Sequence, residues 1–307
     1  MKKLVFKKNA VAMGIVMAMS LTACGGTAPE NTASETAQTT QESENTSEEA
    51  TKNGDVNTEE LYQEAMMNLE NYDSLVGRNV MYYTTTMLDQ VMEEVILREF
   101  QIVNAPVKMQ IDTTTIMDGN VFEETAYYEG EGETVNVYYD GYAENWYLQE
   151  VDITEFTTYQ LSMLQKDVLT KAENIIYYAE TENEAGITQY ELEAEISWAT
   201  ILDMAESNGI LVTASMMDIT KDDLLEILQD KENMKIQLVI DENGFLQSAI
   251  LEMKSLMEEI MMAISGGEGE VLATFDRAEI HIIINEYDTI SDIEISEEMK
   301  ATAETIE

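Results

Sequence analysis

Residues 107–119, Val107-Lys108-Met109-Gln110-Ile111-Asp112-Thr113-Thr114-Thr115-Ile116-Met117-Asp118-Gly119, open on Val107, Met109, Ile111 and Thr113 alternating with Lys108, Gln110 and Asp112, and break at Asp118-Gly119. A period of two is that of a half-buried strand, and Asp-Gly is a hairpin signal. The pattern returns downstream: Val135, Val137 and Tyr139 share a face, Asp140-Gly141 turns, and Tyr142 to Val151 runs back. Met234, Ile236, Leu238 and Ile240 alternate with Lys235 and Gln237, Asn243-Gly244 turns, and the chain returns from Phe245. Ile175 to Glu180 and Thr188 to Ile196, joined by the polar turn Glu182 to Gly186, form a further pair. Val271 to Tyr287 is another strand, and Ile293-Glu294-Ile295 a short last one before a terminal helical patch. Strands joined in this way form an antiparallel meander.

Helical spacing frames and interrupts the meander. Asn57-Thr58-Glu59-Glu60 is an N-cap with an acid three residues on, and Leu61, Ala65, Leu69 and Tyr72 recur at helical spacing, which predicts a helix from Thr58 to Leu75. Further helices are predicted near Thr154 to Lys166, Trp198 to Ser207 and, behind the cap Thr220, Lys221 to Lys231. Two segments fit a helix by spacing, although the sheet can equally run through them: Met87, Val91, Met92 and Val95, and Met253, Leu256, Met257, Ile260, Met261 and Ile264. Met92-Glu93-Glu94-Val95 echoes Met257-Glu258-Glu259-Ile260, by an internal repeat or by chance.

The start of the chain reads differently. Lys2, Lys3, Lys7 and Lys8 precede an uncharged apolar stretch from Ala10 to Leu21, the pattern of an export signal and too short to span a bilayer. Leu21-Thr22-Ala23-Cys24-Gly25 resembles the lipobox of bacterial lipoproteins, in which the cysteine thiol receives diacylglycerol and becomes the first mature residue. Secretion with cleavage near Ala18-Met19-Ser20 is the plainer alternative. On the lipobox reading, residues 1–23 are the signal peptide and Cys24 anchors the chain at the outer face of the cytoplasmic membrane. Two acyl chains suffice for stable anchoring. Cleavage removes four lysines and no acid, so the mature chain is more acidic than the −45 of the whole. Residues 24–56 carry the lipidated cysteine and an acidic tether with Val56 as its only large aliphatic residue, which cannot bury enough surface to fold. As a flexible coil the tether spans roughly 30 Å. Residues 57–307 make the folded domain.

Composition removes several classes of function. With 61 acids against 16 bases there is no basic stripe for nucleic acid. One cysteine rules out an internal disulfide, and one histidine, His281, rules out a multi-histidine metal site. His281 lies in the apolar run Ile280 to Ile284 and is expected to be satisfied within a strand. No Gly-x-Ser-x-Gly elbow, phosphate-binding glycine loop, His-Glu-x-x-His or Cys-His pair is present, so no catalytic residue, metal or cofactor is expected. The acidic pairs Glu123-Glu124 and Asp222-Asp223 read as solvated surface, and Ser265-Gly266-Gly267-Glu268-Gly269 as a loop.

The order of parts resembles the LolA-like lipoproteins of Gram-positive bacteria, relatives of the LolA, LolB and LppX half-barrels. Tyr138-Tyr139-Asp140-Gly141-Tyr142 followed by Trp146 is similar to the aromatic hairpin of that group, and Asn285-Glu286-Tyr287 with Ile293-Glu294-Ile295-Ser296-Glu297-Glu298 to its closing segment. The likeness covers Thr58 to Ile306. It departs from the group at Ser296, where a proline is usual, and in the acidic helix at Lys221 to Lys231. The resemblance implies an α+β fold, an antiparallel curved sheet forming an incomplete β-barrel, with helices packed on or plugging the concave face. That face is expected to carry Val107, Met109, Ile111, Val135, Val137, Tyr139, Ile236 and Leu238 and to hold a lipid or other apolar ligand, aided by some of the 21 methionines, whose thioethers adapt to irregular partners. The alternative is a barrel filled by its own side chains, whose surface meets envelope proteins.

Overall fold

The computed structural model describes residues 57–87, 90–140, 145–207, 210–216, 218–264 and 273–306. Cys24, the signal and tether segments, Gly141 and the Ser265–Gly269 loop lie outside them. Helix α1, Thr58–Glu70, opens as predicted, with the Asn57 side chain accepting from the Glu60 amide and donating to the Glu60 carboxylate. Tyr62, Ala65, Met66 and Leu69 are its buried stripe. The helix ends five residues before the predicted Leu75, because Asn71 caps it and donates from its side chain to the Met67 carbonyl at 2.8 Å. Tyr72, in phase with the helix by spacing, is buried beyond its end.

Six strands follow: β1 Ser74–Met87, β2 Gln90–Asn104, β3 Val107–Met117, β4 Asn120–Glu131, β5 Thr134–Asp140 and β6 Trp146–Asp152. Helices α2, Ile153–Met163, and α3, Lys166–Leu169, lead to β7, Glu173–Glu182, and β8, Thr188–Ile196. Helices α4, Trp198–Ser207, α5, Val212–Met216, and α6, Lys221–Leu228, precede β9, Met234–Asp241, and β10, Leu246–Glu252. Helix α7, Lys254–Ile264, strand β11, Thr274–Tyr287, helix α8, Glu297–Thr302, and strand β12, Glu304–Thr305, complete the fold. One twelve-stranded sheet results, in the order β12-β6-β5-β4-β3-β2-β1-β11-β10-β9-β8-β7. Every pairing is antiparallel except β12 on β6.

That order explains where the helices lie. Strands β6 and β7 are neighbours in the chain but stand near or at opposite edges of the sheet, so the link between them crosses it, and α2 and α3 are that link. Helix α2 packs on β5 and β6, α1 on β7, β9 and β10, and α7 on β11. The helix layer therefore covers the core-facing side of the sheet, and one large cluster of buried side chains fills the space between. At Gly77 an added Cβ would lie 2.5 Å from the Ile283 carbonyl oxygen and 2.7 Å from Cζ of Phe100, so only glycine lets Phe100 pack across β1 there.

Several expectations are corrected. Met87 ends β1 and Gln90 to Val95 opens β2, whereas Lys254–Ile264 is helix, so the two copies of the Met-Glu-Glu echo adopt different structures and no structural repeat stands behind it. Asp140 pairs with Trp146, so the return strand begins four residues later than a turn confined to Asp140-Gly141 would place it. Ile293 to Ile295 forms no strand. Ile293 and Ile295 are buried in extended irregular chain, and pairing resumes only at β12. At the β9–β10 hairpin Gly244, not Asn243, takes the positive φ of 74°, and the Gly244 amide donates to the Asp241 carbonyl at 3.0 Å. The turn is thus a tight bend closed by a left-handed glycine. Trp198–Ser207, Thr188–Ile196 and the Thr220 capping box stand where they were predicted.

Candidate functional site: the seam between sheet and helices

Strand register sorts the core-facing side chains into rows. Leu75, Ile102, Met109, Tyr128 and Val137 lie opposite one another across β1 to β5. The next row is Gly77, Phe100, Ile111, Ala126, Tyr139 and, on β6, Tyr147. These rows pack beneath α1 and α2: Phe156 and Tyr159 of α2 bring their rings 5.5 and 6.0 Å from Tyr128, and Gln160 donates to the Tyr72 hydroxyl at 3.1 Å. The Tyr62 hydroxyl donates to the Leu169 carbonyl and ties α1 to α3. On the other half of the sheet Ile236 and Leu238 face Ala194 and Leu192 of β8, beneath the α4–α7 layer.

Of the side chains expected on the concave face, Met109, Ile111, Val135, Ile236 and Leu238 are at most 2% exposed and belong to the main core. Val107 is half-buried against it, and Val137 is buried. Tyr139 is half-buried beyond the helix cover, its ring 5.7 Å from Tyr147. Nine methionines belong to the main core, among them Met66 of α1, Met109 of β3, Met163 of α2, and Met257 and Met261 of α7. The seam is closed by side chains: Met109, Leu202, Ile236 and Met257 are all within 1% of complete burial.

Two polar features of this face were missed. Asn79, Arg98, Thr113 and Glu124 form one row across β1 to β4, in which Asn79 and Arg98 are buried. The Asn79 amide donates to the Met163 carbonyl at 2.7 Å, which pins the end of α2 to the sheet centre. Towards the far end of the same strands Tyr83 and Glu94 face each other, and both are buried. Burial, with Asp118 nearby, lifts the Glu94 carboxyl to about 7; burial and Glu94 together push the Tyr83 phenol up to about 12. Strand parity would have found them, since Met92, Glu94, Ile96, Arg98, Phe100 and Ile102 share a face once 90–104 is read as a strand. Helical spacing hid that parity.

The opposite face holds the other groups singled out in the sequence. His281 lies in β11 with Nε2 2.7 Å from Glu279 Oε2 and its ring against Tyr82. Burial alone would raise the Glu279 carboxyl, but hydrogen bonds from Arg277 and His281 hold it below its usual range. Glu123 and Asp222 are exposed, whereas Asp223 closes the capping box of α6. Among the described residues no group of three or more His, Cys, Asp or Glu is placed to hold a metal ion, and no helix is long and apolar enough to cross a membrane.

No family model and no curated protein matches the chain. Among solved structures it is similar to LprF from Mycobacterium bovis, with a TM-score of 0.43 and 11% identity over 78% of this chain and 96% of that one. It is also similar to the LolA superfamily protein NE2245 from Nitrosomonas europaea, with a TM-score of 0.21 and 8% identity over 78% and 96%. A DUF1329 family protein from Desulfovibrio piger follows, with a TM-score of 0.20 and 9% identity over 76% and 95%. The α+β fold, an open curved antiparallel sheet with helices on its core-facing side, is defined by the chain's own strand pairing.

Proposed function

We propose that the chain is a non-catalytic extracytoplasmic lipoprotein, held by a diacylglyceryl group on Cys24 at the outer face of the cytoplasmic membrane, that takes a lipid or other apolar chain into the seam between sheet and helices. The observation that carries this reading is the make-up of the seam. Nine methionines in one core are a flexible, polarizable lining that repacks around a guest at lower cost than branched side chains would. The layer that would yield is built of short pieces, α2 and α7 of 11 residues each, α4 of 10 and α6 of 8, which are marginal as isolated helices. The lipobox, export signal and tether support the address.

One observation favours the alternative of a self-filled barrel that meets envelope proteins through its surface: the closure of the seam by its own side chains. A photoreactive fatty acid separates the two. Incubated with the full chain and mapped by peptide mass spectrometry, it is expected to label peptides from β3 and α7, with competition by unlabelled fatty acid. Native mass spectrometry is expected to show lipid carried through purification. A chain that purifies empty and takes no competable label belongs to the self-filled class. The address is read by palmitate labelling in cells, expected to vanish in Cys24→Ser.

A further inference from the structure

At the end of the sheet remote from α1, where β1, β2 and β3 run on to their turns, a recess of about 30 Å³ opens between Tyr83, Thr85, Met92, Met117, Glu94 and Asp118. We propose that this recess is a binding site for a primary ammonium group, with Glu94 as its counter-ion. Glu94 is 5% exposed, yet its Oε1 accepts no hydrogen bond among the described residues. A buried carboxylate oxygen without a partner costs stability unless something supplies a donor.

The surroundings select the donor. Among the described residues the charged group that faces Glu94 in the recess is acidic: Asp118, from the turn after β3, whose carboxylate accepts from the Glu93 amide at 3.3 Å, while the Glu93 side chain, next along the strand, points to the other face. Among the described residues no lysine or arginine lines the recess. Arg98, on the same face of β2, stands four residues along, roughly 13 Å by strand rise. The remaining wall is two thioethers, the Tyr83 ring and the Thr85 hydroxyl. A hard divalent cation needs six or more oxygens, and no three acidic ligands converge among the described residues. A cation with apolar flanks suits thioethers and an aromatic ring better. The size sharpens the choice. Space for about one or two water-sized groups admits –NH₃⁺ with its first methylene and excludes a trimethylammonium. The raised carboxyl of Glu94 follows from the same burial and falls when an ammonium enters.

The site does not depend on an apolar guest in the seam, and its test reads other residues. The full chain, labelled with methyl-¹³C methionine, is titrated at pH 8 with n-butylamine, with n-butanol as the uncharged control. The Met92 and Met117 methyl signals, assigned with Met92→Leu and Met117→Leu, are expected to shift with the amine alone. Binding is expected to weaken at least about tenfold in Glu94→Gln and at pH 5.5, where the carboxyl is protonated. Because Glu94→Gln removes a buried charge it is expected to fold, and its unfolding transition establishes that independently. Phosphatidylcholine vesicles with and without phosphatidylethanolamine then divide the sources: a response confined to the vesicles that contain phosphatidylethanolamine assigns a lipid headgroup, and a response to butylamine alone assigns a soluble amine. No shift at these two methyls, an equal shift with butanol, or undiminished binding by Glu94→Gln overturns the proposal and leaves the recess holding water only.

Discussion

Glu94 can be weighed without any ligand. Its carboxyl rises from an ordinary 4.5 to about 7 in the fold because burial penalises the charged form. Below 4.5 the group is protonated in both folded and unfolded chains and costs nothing. Between 4.5 and 7 the unfolded chain releases the proton first, so stability falls as pH rises, and above 7 the loss is complete. At 1.36 kcal/mol per pKa unit it amounts to roughly 3 kcal/mol. Glu94→Gln is therefore expected to gain up to that amount at pH 8, to gain almost nothing at pH 4, and to flatten the pH profile of urea unfolding between them. An equal effect at both pH values would show that the carboxyl is not buried as described. Gly77 gives a second residue-scale prediction. Alanine there meets the Ile283 carbonyl at 2.5 Å and the Phe100 ring at 2.7 Å, and overpacking of this kind costs about 1–3 kcal/mol. Phe100→Leu in the same chain is expected to recover part of that cost but not all of it, because the carbonyl contact remains; a double-mutant cycle of urea midpoints measures the coupling.

At the scale of elements, the C-terminal segment works as a strap. Ile295 and Met299 of α8 bury against Tyr138, with Tyr127, Trp146 and Leu148 around them, on the face of the sheet opposite the layer of α1 to α7. Lys300 reaches Glu129 at 2.7 Å, Lys108 reaches Asp292 at 2.7 Å, and the two residues of β12 pair with Tyr147 and Leu148 of β6. Deletion of residues 296–307 is expected to uncover Tyr138 and leave β6 as an exposed edge, so the truncated chain should self-associate as concentration rises, read by light scattering. A monomer at every concentration would mean that the edge is protected by other means. The same elements show what the sequence made legible. Strands with strict alternation and a turn signal, such as β3, β8 and β9, stand where the pattern put them, because one buried face fixes both period and register. Strand β2 was obscured because Met92 and Val95 are separated by the spacing a helix would also use, and only pairing with β1 along its length decides the matter. Ile293 to Ile295 alternates as a strand does, yet buries both isoleucines against the sheet without joining it. The row Asn79–Arg98–Thr113–Glu124 and the recess at Glu94 stayed hidden for the same reason as β2, since each appears only once 90–104 is read as a strand and β1 to β4 are set in register.

For the whole molecule the question is whether the helix layer and the sheet open together. Strand β1 is paired along nearly its whole 14 residues, with β2 on one side and β11 on the other, so its amides and carbonyls are held from both directions. The helix layer is joined to the sheet mainly through side chains, with few polar ties such as Asn79 to the Met163 carbonyl and Asn68 of α1 to the Gly244 carbonyl in the β9–β10 turn at 2.8 Å. Opening between them breaks apolar contacts and leaves the strand ladder intact, a cheaper event than separating β1 from its neighbours. Hydrogen exchange at neutral pH is therefore expected to show amides of α4 and α6 exchanging at least about a hundredfold faster than those of β1 and β11, a gap of about 2.7 kcal/mol by the logarithmic relation between rates and free energies. A bound apolar chain should close the gap by protecting the helices while leaving β1 as it was. If α4 and α6 are as protected as β1 in the empty protein, the two layers form one cooperative unit, a guest has no route into the seam, and the methionines are packing alone.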